Sequence, residues 1–322
     1  MSRTPASTEK GAVAALRQPM AMAFTVMLTI LVAAPFLIYP VFLMQAMCFA
    51  LFACALNLLV GNVGLLSFGH ALYFGWASYV SAHAAKVWGL TPELAILTGV
   101  AAATVLGAFA GALAIRRQGI YFAMITLAIA QMLYFAAVQL PFTRGEDGIQ
   151  AVPRGHLFGL IDLSNTANLY ATVLLVFLAG FLAIYRIVHS PFGEVLRAIR
   201  DNEARAISLG YRTERYKLAA FMLSAVFSGV AGGTKAIVVQ IASLTDVHWH
   251  LSGEVLLMCL VGGLGTLFGP VVGAFVILAI QFSLAWMGEW VLAIQGLIFV
   301  VCVLLFRRGI VGELGHRFRV NL

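Results

Sequence analysis

Charge is what this chain has least of. Only 10% of its 322 residues are Asp, Glu, Lys or Arg, while 62% are hydrophobic. Soluble domains carry about 25% charged and about 45–50% apolar residues, so a soluble globular fold is excluded. Alternating ten-residue strand patterns are also absent, which excludes a transmembrane β-barrel. Long apolar runs recur from residue 21 to residue 306. In lipid such runs are helices, because a helix satisfies its own backbone polar groups. The four cysteines, Cys48, Cys54, Cys259 and Cys302, lie inside these runs without disulfide or metal spacing. They read as buried small hydrophobes, and no metal site is expected. No G-x-x-x-x-G-K-[ST] loop occurs. "GVAGGTK" (229–235) lacks the spacing, so no ATP site is expected on this chain. No nucleophile–base pair or paired carboxylates stand out, so neither an enzyme nor a cofactor is expected. Residues 1–20 are polar and basic but lack a small-residue cleavage site, and read as a tail rather than a signal peptide.

The expected fold is therefore an all-α polytopic membrane protein of about ten transmembrane segments. They fall at 21–39, 42–60, 64–85, 94–115, 119–140, 169–188, 217–241, 253–267, 270–287 and 290–306. Glycines 61, 64, 69 and 75 break the third, and the eighth is short and runs into "GGLGTLFGP" (262–270). The organisation reads as a cytoplasmic tail (1–20), a transmembrane domain (21–306) and a second cytoplasmic tail (307–322). Within the domain, 141–168 is an outer, periplasmic loop and 189–216 a cytoplasmic one.

The net charge of +7 marks topology and not a nucleic-acid partner. With the N-terminus inside and ten crossings, 16 of the 20 Lys and Arg residues fall on the cytoplasmic side. Lys86, Arg144 and Arg154 fall outside, and Lys235 lies within a span. This is the positive-inside bias, and a basic face on anionic lipid accounts for it. Removing the third crossing would put Arg116 and Arg117 outside; removing the eighth would do so for Arg307 and Arg308. Trp88, Trp249, Trp286 and Trp290 fall at outer boundaries, as an aromatic belt does.

"LVGNVGLLSFG" (59–69) echoes "LVGGLGTLFG" (260–269) with one residue gapped. Transporter repeats whose broken helices meet at a substrate path give such echoes. So does glycine-rich helix packing, and the sequence leaves both readings open.

One stretch is hydrophilic: "SPFGEVLRAIRDNEARAISLG" (190–210). Ser190 suits an N-cap, Pro191 the first helical position and Gly210 the C-terminal end. Arg197, Asp201 and Arg205 stand four apart, a spacing that lets each pair with the next on one helix. Val195, Leu196, Ile199, Ala206 and Ile207 supply apolar surface elsewhere. The plain reading is an amphipathic helix lying on lipid. Its mixed charge suits a protein partner better. A helix tied at both ends to spans is also a lever.

This stretch resembles the cytoplasmic loop of ABC-importer permeases, with Glu203, Ala204, Ala206 and Gly210 in the places of the E-A-A…G pattern and Arg205 replacing the second alanine. "NLLVGNVGLLSFGHALYFGWASY" (57–79), "GIYFAMITLAIAQ" (119–131), "GYRTERYKLAAFMLSAVFSGVAGG" (210–233) and "SGEVLLMCLVGGLGTLFGPVVGA" (252–274) extend the likeness to the M-type permeases of branched-chain amino-acid ABC transporters. The resemblance covers about residues 45–285. It implies an importer subunit in the bacterial inner membrane, working beside a second, H-type permease, two ATPase subunits and a periplasmic substrate-binding protein. ATP hydrolysis would belong to the ATPases and the cargo would be a branched-chain amino acid or a related amino acid or amide. Arg197, Arg200, Asp201, Glu203, Ala204 and Gly210 would couple the chain to an ATPase. One departure stands out: the family's outer loop reads close to T-G-G-x-D-G, and this chain has "TRGEDG" (143–148), with Arg144 in a glycine's place.

Six polar residues are candidates for a substrate path. Lys235 lies roughly 9 Å short of the outer end of its span and could attract a carboxylate, or its stem could snorkel to the interface. His70 stands among the glycines of the broken third span, beside Ser67 and Tyr73, and Thr126 and Gln131 lie in the fifth. They could line a polar path or make interhelical hydrogen bonds. Glu254, near Asp246 and His248, reads as a helix-start carboxylate stabilised by the dipole or as a residue that shapes the outer mouth. The rival function is a self-sufficient secondary transporter or channel, which would need intramembrane ionisable residues to couple ions.

Overall fold

The computed structural model describes residues 22–288, 290–305 and 309–318. The expected N-terminal tail lies outside them. Every apolar run carries a helix: α1 (22–33), α2 (Pro40–Val63), α3 (His70–Lys86), α4 (Pro92–Ala114), α5 (Ile120–Gln139), α6 (Thr166–Val188), α9 (Thr213–Val239), α10 (Trp249–Gly262), α11 (Gly269–Leu284) and α12 (Trp290–Leu305). Between α6 and α9 lie α7 (Pro191–Asp201) and α8 (Glu203–Ser208), and α13 (Gly309–Phe318) follows α12. Six helices are long and apolar enough to cross a membrane: α2, α4, α5, α6, α9 and α11 with its continuation to Met287. The chain is thus a polytopic all-α membrane protein.

α2 starts at Pro40, whose fixed φ and missing N–H suit the first turn. It is apolar on all sides and nearly all of it is buried, so it forms the centre of the bundle. α4 packs differently. Its buried stripe is Ala95, Gly99, Ala103, Gly107, Ala110, Gly111 and Ala114, a small-xxx-small row. The row admits α3 and α9 at close range: a Cβ on Gly107 would lie 2.5 Å from the Ala225 methyl, and one on Gly99 would lie 2.1 Å from Ser81 Oγ. The opposite face of α4 exposes Leu97, Val105, Phe109 and Leu113. Such a face suits lipid. Cys48, Cys54 and Cys259 are free and buried, as their apolar surroundings imply.

α3 and α10 are short because each adjoins an unwound segment, at 64–69 and 263–268. These are the two echoing strings, and their likeness is conformational. The aligned glycines Gly64 and Gly265 adopt φ of +78° and +77°, where a Cβ would be strained. A hydroxyl then caps the following helix in each: Ser67 Oγ accepts from Gly69 N at 3.3 Å and Thr266 Oγ1 accepts from Gly269 N at 3.1 Å. The second break also touches the last turns of α2, the helix that leads into the first. The Asn57 amide donates to Thr266 O at 2.8 Å and accepts from Gly265 N at 3.0 Å. A side chain at Gly61 would meet Gly265 Cα at 2.9 Å.

The loop 141–168 folds over one end of the bundle. β1 (Ile149–Gln150) pairs antiparallel with β4 (Ile241–Ala242), and β2 (His156–Leu157) with β3 (Ile161–Asp162). Arg154 donates to Val238 O at 3.1 Å, and Gln240 Nε2 to Val152 O at 3.0 Å. The Ser164 backbone N–H donates to Asp162 and holds its carboxyl below the usual range. Arg144 adopts φ +61°, the conformation a glycine takes most easily, so the departure from the family pattern falls on a position that favours glycine. In the expected second tail, residues 309–318 form a helix with Val311 buried and Gly309 tight against Gly263. Residues 307–308 and 319–322 lie outside the described residues.

Candidate coupling loop and substrate path

The hydrophilic stretch forms two helices, where the sequence reading expected one. Ser190 Oγ caps α7 by accepting from Gly193 N, as expected. At Asn202 the backbone turns extended (φ −160°, ψ 96°), and Asn202 Oδ1 accepts from Arg205 N to start α8. The break separates Asp201 from Arg205, so the expected ladder of four-apart pairs does not form. Arg197 pairs instead with Glu194 at 2.8 Å and Arg200 with Asp201 at 3.1 Å. Gly210 ends α8 in a left-handed conformation. Leu196, Ile199 and Ala206 are buried, while Ile207 is exposed.

Three of the six coupling candidates turn toward the bundle. Arg197 donates to Val188 O at 3.0 Å, tying α7 to the end of α6. Arg200 donates to Gly61 O, in the last turn of α2, and its Cγ lies against Gly64. Glu203 accepts both contacts of Lys217 Nζ at 2.6 Å and one from Gln118 Nε2 at 2.6 Å, tying α8 to α9 and to the turn between α4 and α5. The other three candidates, Asp201, Ala204 and Gly210, are exposed, beside Arg205, Ile207 and Leu209. The loop is thus clasped on one side and open on the other.

Four of the path candidates meet around the first helix break. Ser67, His70, Tyr73 and Thr126 are all buried. Thr126 Oγ1 accepts from Phe68 N at 3.3 Å and Ser252 Oγ from Ala71 N at 2.8 Å, so hydroxyls from α5 and α10 cap the start of α3. His70 Nε2 lies 2.8 Å from Ser224 Oγ, whose own proton goes to Ala55 O. Nε2 therefore carries the imidazole hydrogen, and the buried Nδ1 is left without a partner. The Tyr73 ring meets His70 edge-on at 5.5 Å. The remaining two candidates stand apart. Gln131 is half-buried on α5, and Lys235 is closed off by Asp246, at 2.7 and 2.9 Å, with side-chain exposures of 6% and 7%. That ammonium neither snorkels to a surface nor stands open to a carboxylate.

Sequence reasoning missed Ser224, Ser252, Asn57, Lys217, Gln118 and Asp246. Asn57 alone left a signal, an amide in an apolar run just before the glycine string. Glu254, expected at a helix start, lies in the second turn of α10, beyond the reach of the terminal dipole. Its Oε1 accepts from Gln281 Nε2 of α11 at 2.6 Å. Among the described residues no three His, Cys, Asp or Glu side chains gather to hold a metal.

Comparison with known proteins agrees with this architecture. The chain is 27% identical over 255 residues to the high-affinity branched-chain amino acid transport system permease protein LivM of Escherichia coli K12, covering 72% of this chain and 60% of that one. It is 27% identical over 254 residues to the Salmonella typhimurium LivM, with 71% and 60% covered. A shorter match, 29% over 121 residues, is to a probable branched-chain amino acid transport permease protein LivH of Methanocaldococcus jannaschii, with 38% and 36% covered. The match to the two LivM proteins spans about 60% of their length. No solved structure matches the chain. With its apolar helices, this makes the chain a multi-pass protein of the bacterial inner membrane. Residues 38–303 match the family described as "Branched-chain amino acid transport system / permease component", and the chain belongs to that family.

Proposed function

We propose that the chain is a translocating subunit of an ATP-driven importer, moving branched-chain amino acids or related amino acids and amides inward by alternating access. It works with a second, H-type permease, two ATPase subunits and a periplasmic substrate-binding protein, and ATP is hydrolysed on the ATPases. The observation that carries the reading is the double-sided loop. Its exposed side, around Asp201, Ala204, Arg205 and Gly210, is free to meet an ATPase. Its clasped side reaches the helix breaks: Arg200 holds Gly61 O of α2, and Asn57 of the same helix grips Gly265 and Thr266. A push on α7–α8 therefore acts on both breaks. Ser67, His70, Tyr73 and Thr126 border the first break, and Gln131 lies farther along α5, apart from them. Lys235 acts in this scheme through Asp246, as an anchor for the loop beyond α9.

One observation favours the rival, a self-sufficient carrier: Glu254 is an ionisable group inside an apolar helix. Purification of the tagged chain from its native membrane separates the two. The importer reading expects a second permease and two ATPases to co-purify, with leucine uptake in proteoliposomes only when ATP is supplied. The chain alone moving leucine without ATP would overturn it. Arg200→Met sharpens the test: the ATPases still co-purify, but uptake per ATP falls about tenfold, as loss of a coupling contact implies.

A further inference from the structure

α10 carries a carboxylate where lipid disfavours one. Glu254 lies more than a turn from either end of the helix. Among the described residues it is the only carboxylate so placed in an apolar helix, and its hydrogen-bonding partner is a neutral amide. Lys217 and Lys235, by contrast, each have a carboxylate of their own. Gln281 occupies Oε1 at 2.6 Å, and among the described residues no hydrogen bond reaches Oε2. Glu254 is half-buried, on the outward face that α10 shares among His250, Gly253 and Leu257. A side chain at Gly253 would meet nothing within 4 Å, so the surface beside the carboxylate is open. An ionised carboxylate facing hydrocarbon at mid-helix costs about 2.5–3.5 kcal/mol, so an ionised Glu254 requires this face to meet water or protein.

We infer that Glu254 receives the primary ammonium of the amino-acid cargo. Oε2 supplies the charge, Gln281 holds the carboxylate in place through Oε1, and the missing side chain at Gly253 gives the cargo room to approach. This rests on the importer reading for the cargo's chemistry. It assigns to α10 a contact that neither the helix breaks nor Lys235 offers: those present backbone dipoles, hydroxyls and an ammonium already closed by Asp246.

The test uses the full chain in lipid nanodiscs and the complex purified with it. Two probes share one skeleton: leucine, and 4-methylpentanoate, which lacks the ammonium. In infrared difference spectra leucine shifts a carboxylate band that 4-methylpentanoate leaves unchanged, and the band is absent in Glu254→Gln. In uptake assays Glu254→Gln raises the KM for leucine about tenfold or more with the complex intact, and Glu254→Asp recovers part of it. A wild-type KM in Glu254→Gln, or equal shifts with both probes, overturns the inference and leaves the importer standing. Loss of the second permease from Glu254→Gln complexes also overturns it, because the carboxylate then pairs with a cation across subunits. If the wild-type complex moves leucine without ATP but the band still shifts, the importer reading fails and the ammonium contact survives.

Discussion

Two ion pairs pin α9 near its ends. Lys217 meets Glu203 of α8 at 2.6 Å, and Lys235 meets Asp246 of the loop beyond α9 at 2.7 Å. The lysines stand roughly 27 Å apart along the axis at 1.5 Å per residue. Both ammonium groups are buried, with side-chain exposures of 4% and 6%, but their carboxylates differ. Glu203 is 21% exposed and also accepts from Gln118, whereas Asp246 is 7% exposed and also holds its own turn by accepting from Ser243 N at 3.3 Å. A dry pair that loses one partner strands a charge. A half-wet one can open, hydrate and close. The difference assigns a fixed end and a working end to the same helix, and the working end is the one joined to the loop that faces the ATPases in the proposed complex.

The largest effect expected from this contrast is at the dry end. Asp246→Asn leaves the Lys235 ammonium buried beside a neutral amide and lowers stability by about 3–5 kcal/mol. Thermal unfolding of the purified chain measures it, and a loss no greater than that of Glu203→Gln would erase the distinction. Glu203→Gln comes next. It keeps an acceptor for Lys217 and lets water reach the lysine, so the stability loss is about 2 kcal/mol. Its larger consequence is functional, since α8 then slides on α9. ATP hydrolysis by the complex continues while leucine uptake per ATP falls.

What the sequence could show follows the same divide. Lys235 was legible as an intramembrane charge because a lysine in an apolar run has few benign explanations. Its partner was not, because Asp246 lies beyond a turn and ends a short 3₁₀ segment, Leu244–Asp246, whose geometry no periodicity announces. The helix breaks were legible because glycine strings interrupt an apolar run, while the echo between them left a repeat and plain glycine-rich packing equally open. That Asn57 of α2 grips the second break was not, since one of its partners is a backbone N–H and the other a backbone carbonyl. The same holds for Arg200, whose acceptor is the Gly61 carbonyl. The division of the loop at Asn202 was within reach: Asp-Asn before Glu-Ala-Arg is an N-cap signal. The four-apart spacing of Arg197, Asp201 and Arg205 read more strongly as one continuous helix, and that reading was incorrect.

The smallest effect sharpens the comparison most. Gln118 adds a neutral donor to Glu203 without touching the charge balance, so Gln118→Ala separates anchoring from neutralisation at the working end. The expected stability loss is about 1 kcal/mol, that of one partly exposed hydrogen bond to a charged acceptor. If α8 and α9 are held by the ion pair alone, uptake per ATP in this variant equals wild type. If the turn between α4 and α5 is part of the clasp, uptake per ATP falls while the ATPases still co-purify. The dry end has no such graded contact to another helix: Asp246 takes its further bond from its own turn. A Ser243→Ala control there removes a turn hydroxyl and is expected to leave uptake per ATP unchanged. Equal losses in the two variants would mean that both ends of α9 carry the stroke.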